Sequence, residues 1–292
     1  MMDGFHYRFM LFTYHDRMTH YSMKIKRMST ILLGLLICYL LLCGVAWFYQ
    51  GKLIFPGSQQ LTSHYQNFAS REFILEQADV TLQGWHLENL DAANSHVLFY
   101  FGGNAEDVAG MLPVLSRLPV RHVYTFNYRG YGLSDGLPSQ TGFYADALAI
   151  YERAASLHPG ENVRFFVMGR SLGSAVTGYL ATQKPMHGVV LLAPLKSALQ
   201  NGQRTLPFVP VKWLMKHPFD LQGIASQITA PTLMLIANDD QVIPVADSLE
   251  TWEALGGEKA LVRLEQVGHN NLFDNPATFK AVERFLRQKS GM

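Results

Sequence analysis

Beyond residue 71 the chain alternates short apolar runs with longer mixed segments. "HVLFYF" (His96–Phe101), "HVYTFN" (His122–Asn127), "VRFFVM" (Val163–Met168), "GVVLLA" (Gly188–Ala193) and "PTLMLIA" (Pro231–Ala237) are each too short for an independent helix. They are rich in β-branched or aromatic residues, so they predict buried strands. "REFILEQ" and "VTLQGWHL" predict a hairpin around Ala78-Asp79, and "ALVRLEQV" a final strand. Helices are expected at Ala105–Leu118, Gly142–Leu157, Leu172–Gln183, Val245–Leu255 and Pro276–Gln288. Strands apolar on both faces and separated by helices imply an α/β protein, with a mainly parallel sheet covered by helices on both faces. In such sheets reactive groups gather at the carboxyl ends of the strands. The stretch 194–229 breaks the alternation and is expected to form a small cap over those ends.

A different pattern precedes this one. Ile31–Tyr49, "ILLGLLICYLLLCGVAWFY", runs for 19 residues without a charge. At a rise of about 1.5 Å per residue that nearly matches a hydrocarbon core about 30 Å thick. The sequence thus predicts a cytoplasmic tail over 1–30, a transmembrane anchor over 31–49, a linker over 50–71 and a catalytic-type domain over 72–292. A cleaved signal peptide fits less well, because the run exceeds the usual length and no clear Ala-x-Ala follows it. Lys24, Lys26 and Arg27 precede the run and only Lys52 closely follows it, which orients the amino terminus to the cytoplasm and the main domain to the far side. Residues 1–22 are rich in Met, aromatic and His residues; they are expected to be a short disordered tail or to precede the true start. Their histidines, His6, His15 and His20, have no metal-ligand spacing.

Charge and cysteine content narrow the function. The formal net charge is +1, and no basic cluster follows Lys52, so nucleic acid is not an expected partner. Of the 24 Lys and Arg and 23 Asp and Glu, the chain after residue 51 holds 19 and 21, which calls for neither an anionic surface nor an acidic substrate. Both cysteines, Cys38 and Cys43, fall in the apolar run, leaving no thiol nucleophile or disulfide framework elsewhere.

Gly169-Arg170-Ser171-Leu172-Gly173 matches Gly-x-Ser-x-Gly between an expected strand and an expected helix. A nucleophile on so sharp a turn leaves no room for a Cβ two positions away on either side. The helix that follows aims its amino end and the Leu172 N–H at developing negative charge. A serine hydroxyl needs a base, and His269, just after the last strand, is placed to serve. The base needs an acid to fix its tautomer. Asp239 and Asp240 both follow the strand "PTLMLIA"; Asp240, four residues ahead of Pro244, is preferred. The order Ser171, Asp240, His269 is that of nucleophile, acid and base in this architecture. Asp135, Asp247 and Asp274 have no motif around them and are expected to be solvated. No His/Cys cluster suggests a catalytic zinc, and no metal or other cofactor is expected.

These residues resemble the α/β-hydrolase superfamily, in particular its membrane-anchored branch of single-domain serine hydrolases, over roughly Glu72–Gln288. "FYFGGNAED" resembles that branch's His-Gly-Asn-Ala oxyanion loop, and "NYRGYGLSDGLPS" (Asn127–Ser139) its Tyr-Arg-Gly-Tyr-Gly block. The likeness implies the α/β-hydrolase fold with a small cap, and an oxyanion hole formed by the Asn104 and Leu172 N–H groups. Two positions depart from it. Gly102 stands where histidine is usual, implying a looser loop, and Asn238-Asp239 replaces the usual Gly-x before the acid. Arg129 is expected to tie the loop beneath the site.

In the cap, "TLPFVPVKWLMKHPF" could offer Leu206, Phe208, Trp213 and Met215 as a substrate wall, but core packing of a cap helix explains the same residues and is the preferred reading. If the wall is real, the substrate is a small-molecule or lipid-like ester or thioester with an apolar acyl chain. The expected function is a serine hydrolase of the carboxylesterase or thioesterase type. A serine peptidase of aminopeptidase type would call for an acidic pocket that the cap lacks. A non-catalytic scaffold would have no need of all three residues.

Overall fold

The computed structural model describes residues 3–57, 66–160 and 162–291, with side chains from Met18 onward. The chain divides into two compact units, Met1–Gln50 and Gly51–Met292.

The first unit belongs to one helix, α1 (Asp3–Ile54), longer at both ends than the expected 31–49 span. No proline occurs before Pro56, and glycines such as Gly34 and Gly44 cost a helix interior only about 1 kcal/mol each, which good helix formers around them offset. The expected disordered tail is therefore helical from Asp3. Over Met18–Ile54 the helix is long and apolar enough to cross a membrane.

The second unit is built on one eight-stranded sheet. Its strands are β1 (Glu72–Glu76), β2 (Thr81–Glu88), β3 (Val97–Phe101), β4 (His122–Phe126), β5 (Phe165–Arg170), β6 (Gly188–Leu192), β7 (Thr232–Ala237) and β8 (Lys259–Leu264), in the order β1-β2-β4-β3-β5-β6-β7-β8. β2 is antiparallel to both β1 and β4, and the pairs from β4 through β8 are parallel. The mainly parallel α/β sheet is as expected, and the alternation of side chains explains it. Phe99, Val167, Val189 and Met234 pack on one face, while Leu98, Tyr100, Phe166, Met168, Val190 and Leu233 pack on the other. Helices α2 (Gln140–Leu157) and α3 (Leu172–Gln183) cover the first face through Phe143, Ala147, Ala175 and Leu180.

The region 194–229 carries three short helices, α4 (Ala198–Thr205), α5 (Val211–Leu214) and α6 (Leu221–Ile224). Helix α7 (Val245–Ala254) lies on the first face, and α8 (Pro276–Ser290) closes the second with Val282, Phe285 and Leu286. Ala105–Leu118, expected as one helix, holds only a 3-10 turn at Val108–Met111 and one helical turn at Leu112–Leu115. Pro113 and the short tether from β3 explain why no full helix forms, since proline is tolerated only in a first turn.

The expected linker 50–71 is not a free tether at its start. Phe55 is buried, with its ring 5.3 Å from that of Phe143 and 6.0 Å from that of Phe219. Its middle, 58–65, lies outside the described residues.

Candidate active site

β5 runs out at Arg170 and α3 begins at Leu172, so Ser171 makes the whole turn, with φ 52° and ψ −116°. A non-glycine residue at positive φ is strained, and such strain persists only where surrounding contacts hold it. Here the Ser171 N–H donates to the Leu192 carbonyl at 2.9 Å. The flanking glycines are steric necessities. A Cβ on Gly169 would stand 2.3 Å from the Gly173 carbonyl oxygen, and one on Gly173 only 2.1 Å from that of Phe101. The turn therefore seats the start of α3 directly on the end of β3.

Two loops at the same sheet edge supply the other groups. Asp240 follows β7 and His269 follows β8. The loops are joined where the Asp239 N–H donates to the Val267 carbonyl at 3.0 Å. Asp240 Oδ1 accepts the N–H groups of Val242 and Ile243 at 2.8 and 2.7 Å, and Oδ2 accepts from His269 Nδ1 at 2.7 Å. A carboxylate only accepts, so this contact puts the proton of neutral His269 on Nδ1 and leaves Nε2 as an acceptor. Nε2 lies 2.9 Å from Ser171 Oγ, within reach of its hydroxyl proton. The Asp240 and His269 side chains are 3% and 9% exposed, so water competes little for these bonds. Asp239 is exposed and does not reach the imidazole.

At the end of β3 the loop Gly102–Ala105 faces the start of α3. Leu172 is the first helical residue there, in a turn whose N–H groups have no intrahelical acceptor. Asn104 is held at both ends of its side chain: Tyr131 donates to Oδ1 at 2.7 Å, and Nδ2 donates to the Ile54 carbonyl at 2.7 Å. The looser loop implied by Gly102 is not what the fold contains. The Tyr128 hydroxyl donates to the Gly102 carbonyl at 2.8 Å, and the Gly103 N–H donates to Glu106 at 2.7 Å.

Glu106 escaped the sequence reading. Its buried carboxylate also accepts from Tyr100 at 2.6 Å and lies 2.9 Å from Arg170 Nε, an ion pair outside hydrogen-bonding angles. It thus links the loop after β3 to the residue preceding Ser171. The available signal was a carboxylate two residues beyond Asn104 beside an arginine in the Gly-x-Ser-x-Gly turn. Arg129 does tie its loop: Nε and Nη2 contact Asp146 Oδ2 and Oδ1 at 2.8 and 2.6 Å, making a bidentate pair with an acid the sequence reading passed over.

Several expectations need correction. Asp247 is buried and paired with Arg204 of α4 at 2.8 Å, so only Asp135 and Asp274 are solvent-exposed as expected. Leu206, Phe208 and Trp213 are 45%, 88% and 84% exposed. Met215 is partly buried, close to Gly202 of α4. The sequence suggested no histidine cluster, yet His86, His122 and His158 converge, with one ring nitrogen of each within 4.8 Å of the others. They are far apart in sequence and meet only through strand register.

Comparison with known proteins gives the same architecture. Residues 101–226 match the family described as the alpha/beta hydrolase fold. An uncharacterized protein of Mycobacterium tuberculosis is 31% identical over 250 residues, covering 83% of this chain and 89% of that protein. An esterase of Pyrococcus furiosus superposes with a TM-score of 0.63 at 18% identity, over 80% of this chain and 97% of the esterase. A membrane phospholipase A described as a bacterial virulence factor superposes with a TM-score of 0.61 at 18% identity, over 90% of this chain and 100% of the phospholipase. At those identities the two structures speak for the fold alone.

Proposed function

Since the chain belongs to the α/β-hydrolase family, we propose that it is a serine hydrolase cleaving ester or thioester bonds through an acyl-enzyme. The observation that carries this reading is the contact chain from Ser171 Oγ to His269 Nε2, and from Nδ1 to Asp240.

In the first half-reaction the Ser171 hydroxyl proton passes to His269 Nε2 as Oγ bonds to the substrate carbonyl carbon. The carbonyl π electrons move onto oxygen, where the backbone N–H groups of Asn104 and Leu172 stabilise the charge. Asp240 holds the ring and stabilises the imidazolium without taking the proton. Collapse of the tetrahedral intermediate breaks the bond to the leaving alcohol or thiol, which takes the proton from Nε2. Water then repeats the sequence: it loses a proton to Nε2, attacks the acyl carbon and releases the acid, and the proton returns to Ser171 Oγ.

The exposed apolar residues of the cap, Leu206, Phe208 and Trp213, with Met215 beside them, are the proposed contact surface for an acyl chain. The membrane-anchored reading goes with them: α1 holds the protein in a bilayer, amino terminus in the cytoplasm, with the domain over 72–292 on the other side.

Hydrolysis of p-nitrophenyl butyrate by the full chain in detergent tests the reading. Ser171→Ala is expected to lower kcat by on the order of 10⁴-fold or more. Undiminished turnover by that variant excludes Ser171 as nucleophile. A carboxyl-terminal alkaline phosphatase fusion tests orientation, and activity from a cytoplasmic reporter fused at the same point would reverse it.

A further inference from the structure

β2 and β4 are antiparallel neighbours, and their register sets His86 opposite Tyr124 and Glu88 opposite His122. Side chains two apart on a strand share a face, so these four form one block on the sheet. His158 closes it from α2, as the residue that ends that helix. The imidazoles touch: His86 Nε2 lies 3.1 Å from His122 Nδ1, and the His158 ring stacks on that of His122 at 3.9 Å. The Tyr124 hydroxyl is 2.8 Å from His158 Nε2. All three histidines are half-buried. This is the only group of three or more potential ligand side chains found among the described residues.

We propose that His86, His122 and His158 bind a single divalent transition-metal ion, Zn²⁺ being the best match. A tetrahedral ion with metal–nitrogen bonds of about 2.0–2.1 Å needs its ligand atoms about 3.3 Å apart. The His86 and His122 nitrogens already stand at 3.1 Å, and the third lies close enough to be brought in by a side-chain rotation. Imidazole ligands select borderline ions such as Zn²⁺, Cu²⁺ or Ni²⁺ over Mg²⁺ or Ca²⁺. Glu88, beside the cluster and paired with Arg121, contributes negative charge nearby, and a water completes the shell.

The location indicates the role. His122 opens β4, whereas Ser171 follows the end of β5, and the two strands run in the same direction. The metal site thus sits at the opposite edge of the sheet from the hydrolytic site. An ion there ties together β2, β4 and the end of α2, and takes no part in acyl transfer.

The test is titration of the untagged full chain in detergent, freed of metal, with ZnCl₂, read by equilibrium dialysis with atomic absorption. One Zn²⁺ per chain is expected, together with a rise in the thermal unfolding midpoint. The His86→Gln/His122→Gln double variant is expected to lose at least about 10-fold in affinity and the thermal shift, with ester hydrolysis unchanged. Should that variant fail to fold, Co²⁺ titration of the wild-type chain decides. Visible absorption of a four-coordinate nitrogen-rich site at one equivalent supports the proposal, and its absence overturns it. Failure of the wild-type chain to bind Zn²⁺, or stoichiometric binding retained by the double variant, as the amino-terminal histidines would give, also overturns it.

Discussion

Asp240 spends both oxygens, one on two backbone N–H groups and the other on His269 Nδ1. Asp240→Asn keeps the shape but can offer its amide N–H to Nδ1, forcing the proton onto Nε2, where it blocks deprotonation of Ser171. A fall in kcat on the order of 10³–10⁴-fold is expected, with KM little changed, in steady-state ester hydrolysis. Asp239→Asn, one residue away, is expected to leave kcat within about twofold. Equal losses in the two variants would contradict the assignment of the acid. Sequence position and strand-end logic pointed to Asp240, the neighbour whose carboxylate meets His269 Nδ1. Glu106 was not legible in the same way, because its value lies in three partners, Tyr100, Gly103 and Arg170, that only the folded chain brings together. The same holds for Asp247, which reads as a solvated helix residue until Arg204 arrives from the cap.

The buried strands were readable at the level of elements because each is a short apolar run with no polar face, and β7 departs from its expected bounds only at Pro231. Helix α3 was bounded as expected at Leu172–Gln183, since the turn at Ser171 fixes its start. Ala105–Leu118 was misread because apolar spacing alone does not show that the residues after β3 are drawn into a tight loop. The histidine trio was invisible because cross-strand register, not spacing along the chain, creates it. Packing predictions follow at this scale. Gly173→Ala places a Cβ against the backbone oxygens of Phe101 and Gly102, neither of which is free to move, and a destabilisation of about 3 kcal/mol or more is expected in urea unfolding. Leu180→Ala, at a fully buried position of α3, is expected to cost about 3 kcal/mol by the same measurement.

His96 links elements near the carboxyl end: Nδ1 accepts the Arg164 N–H at 3.2 Å, and Nε2 faces the Ser290 carbonyl at 3.4 Å. Burial first, with help from Arg164 and His187, holds its pKa below the usual imidazole value, while the Ser290 carbonyl works the other way. The unfolded chain therefore binds more protons as pH falls through about 6.5, so this contribution to stability is complete above that pH and lost progressively below it. His96→Asn, which keeps an acceptor in place of Nδ1, is expected to flatten the fall of the unfolding midpoint between about pH 7 and pH 5. An unchanged slope would contradict the account of His96.

For the whole molecule, the sequence separated the apolar amino-terminal segment from the α/β unit, and the division falls at Gln50/Gly51. Its extent was less legible: a charge-free run marks apolarity, whereas the helix continues to Ile54 wherever nothing stops it. Phe55, counted with a linker, is drawn into the aromatic cluster of Phe143 and Phe219. The scaffold brings together three side chains from loops after β5, β7 and β8, and the central claim is that Ser171 thereby becomes nucleophilic. Labelling the full chain with a fluorophosphonate, followed by peptide mass mapping, tests this most directly. A single adduct on Ser171 is expected, suppressed in His269→Ala. An adduct on another residue, or equal labelling of Ser171 in His269→Ala, would contradict it.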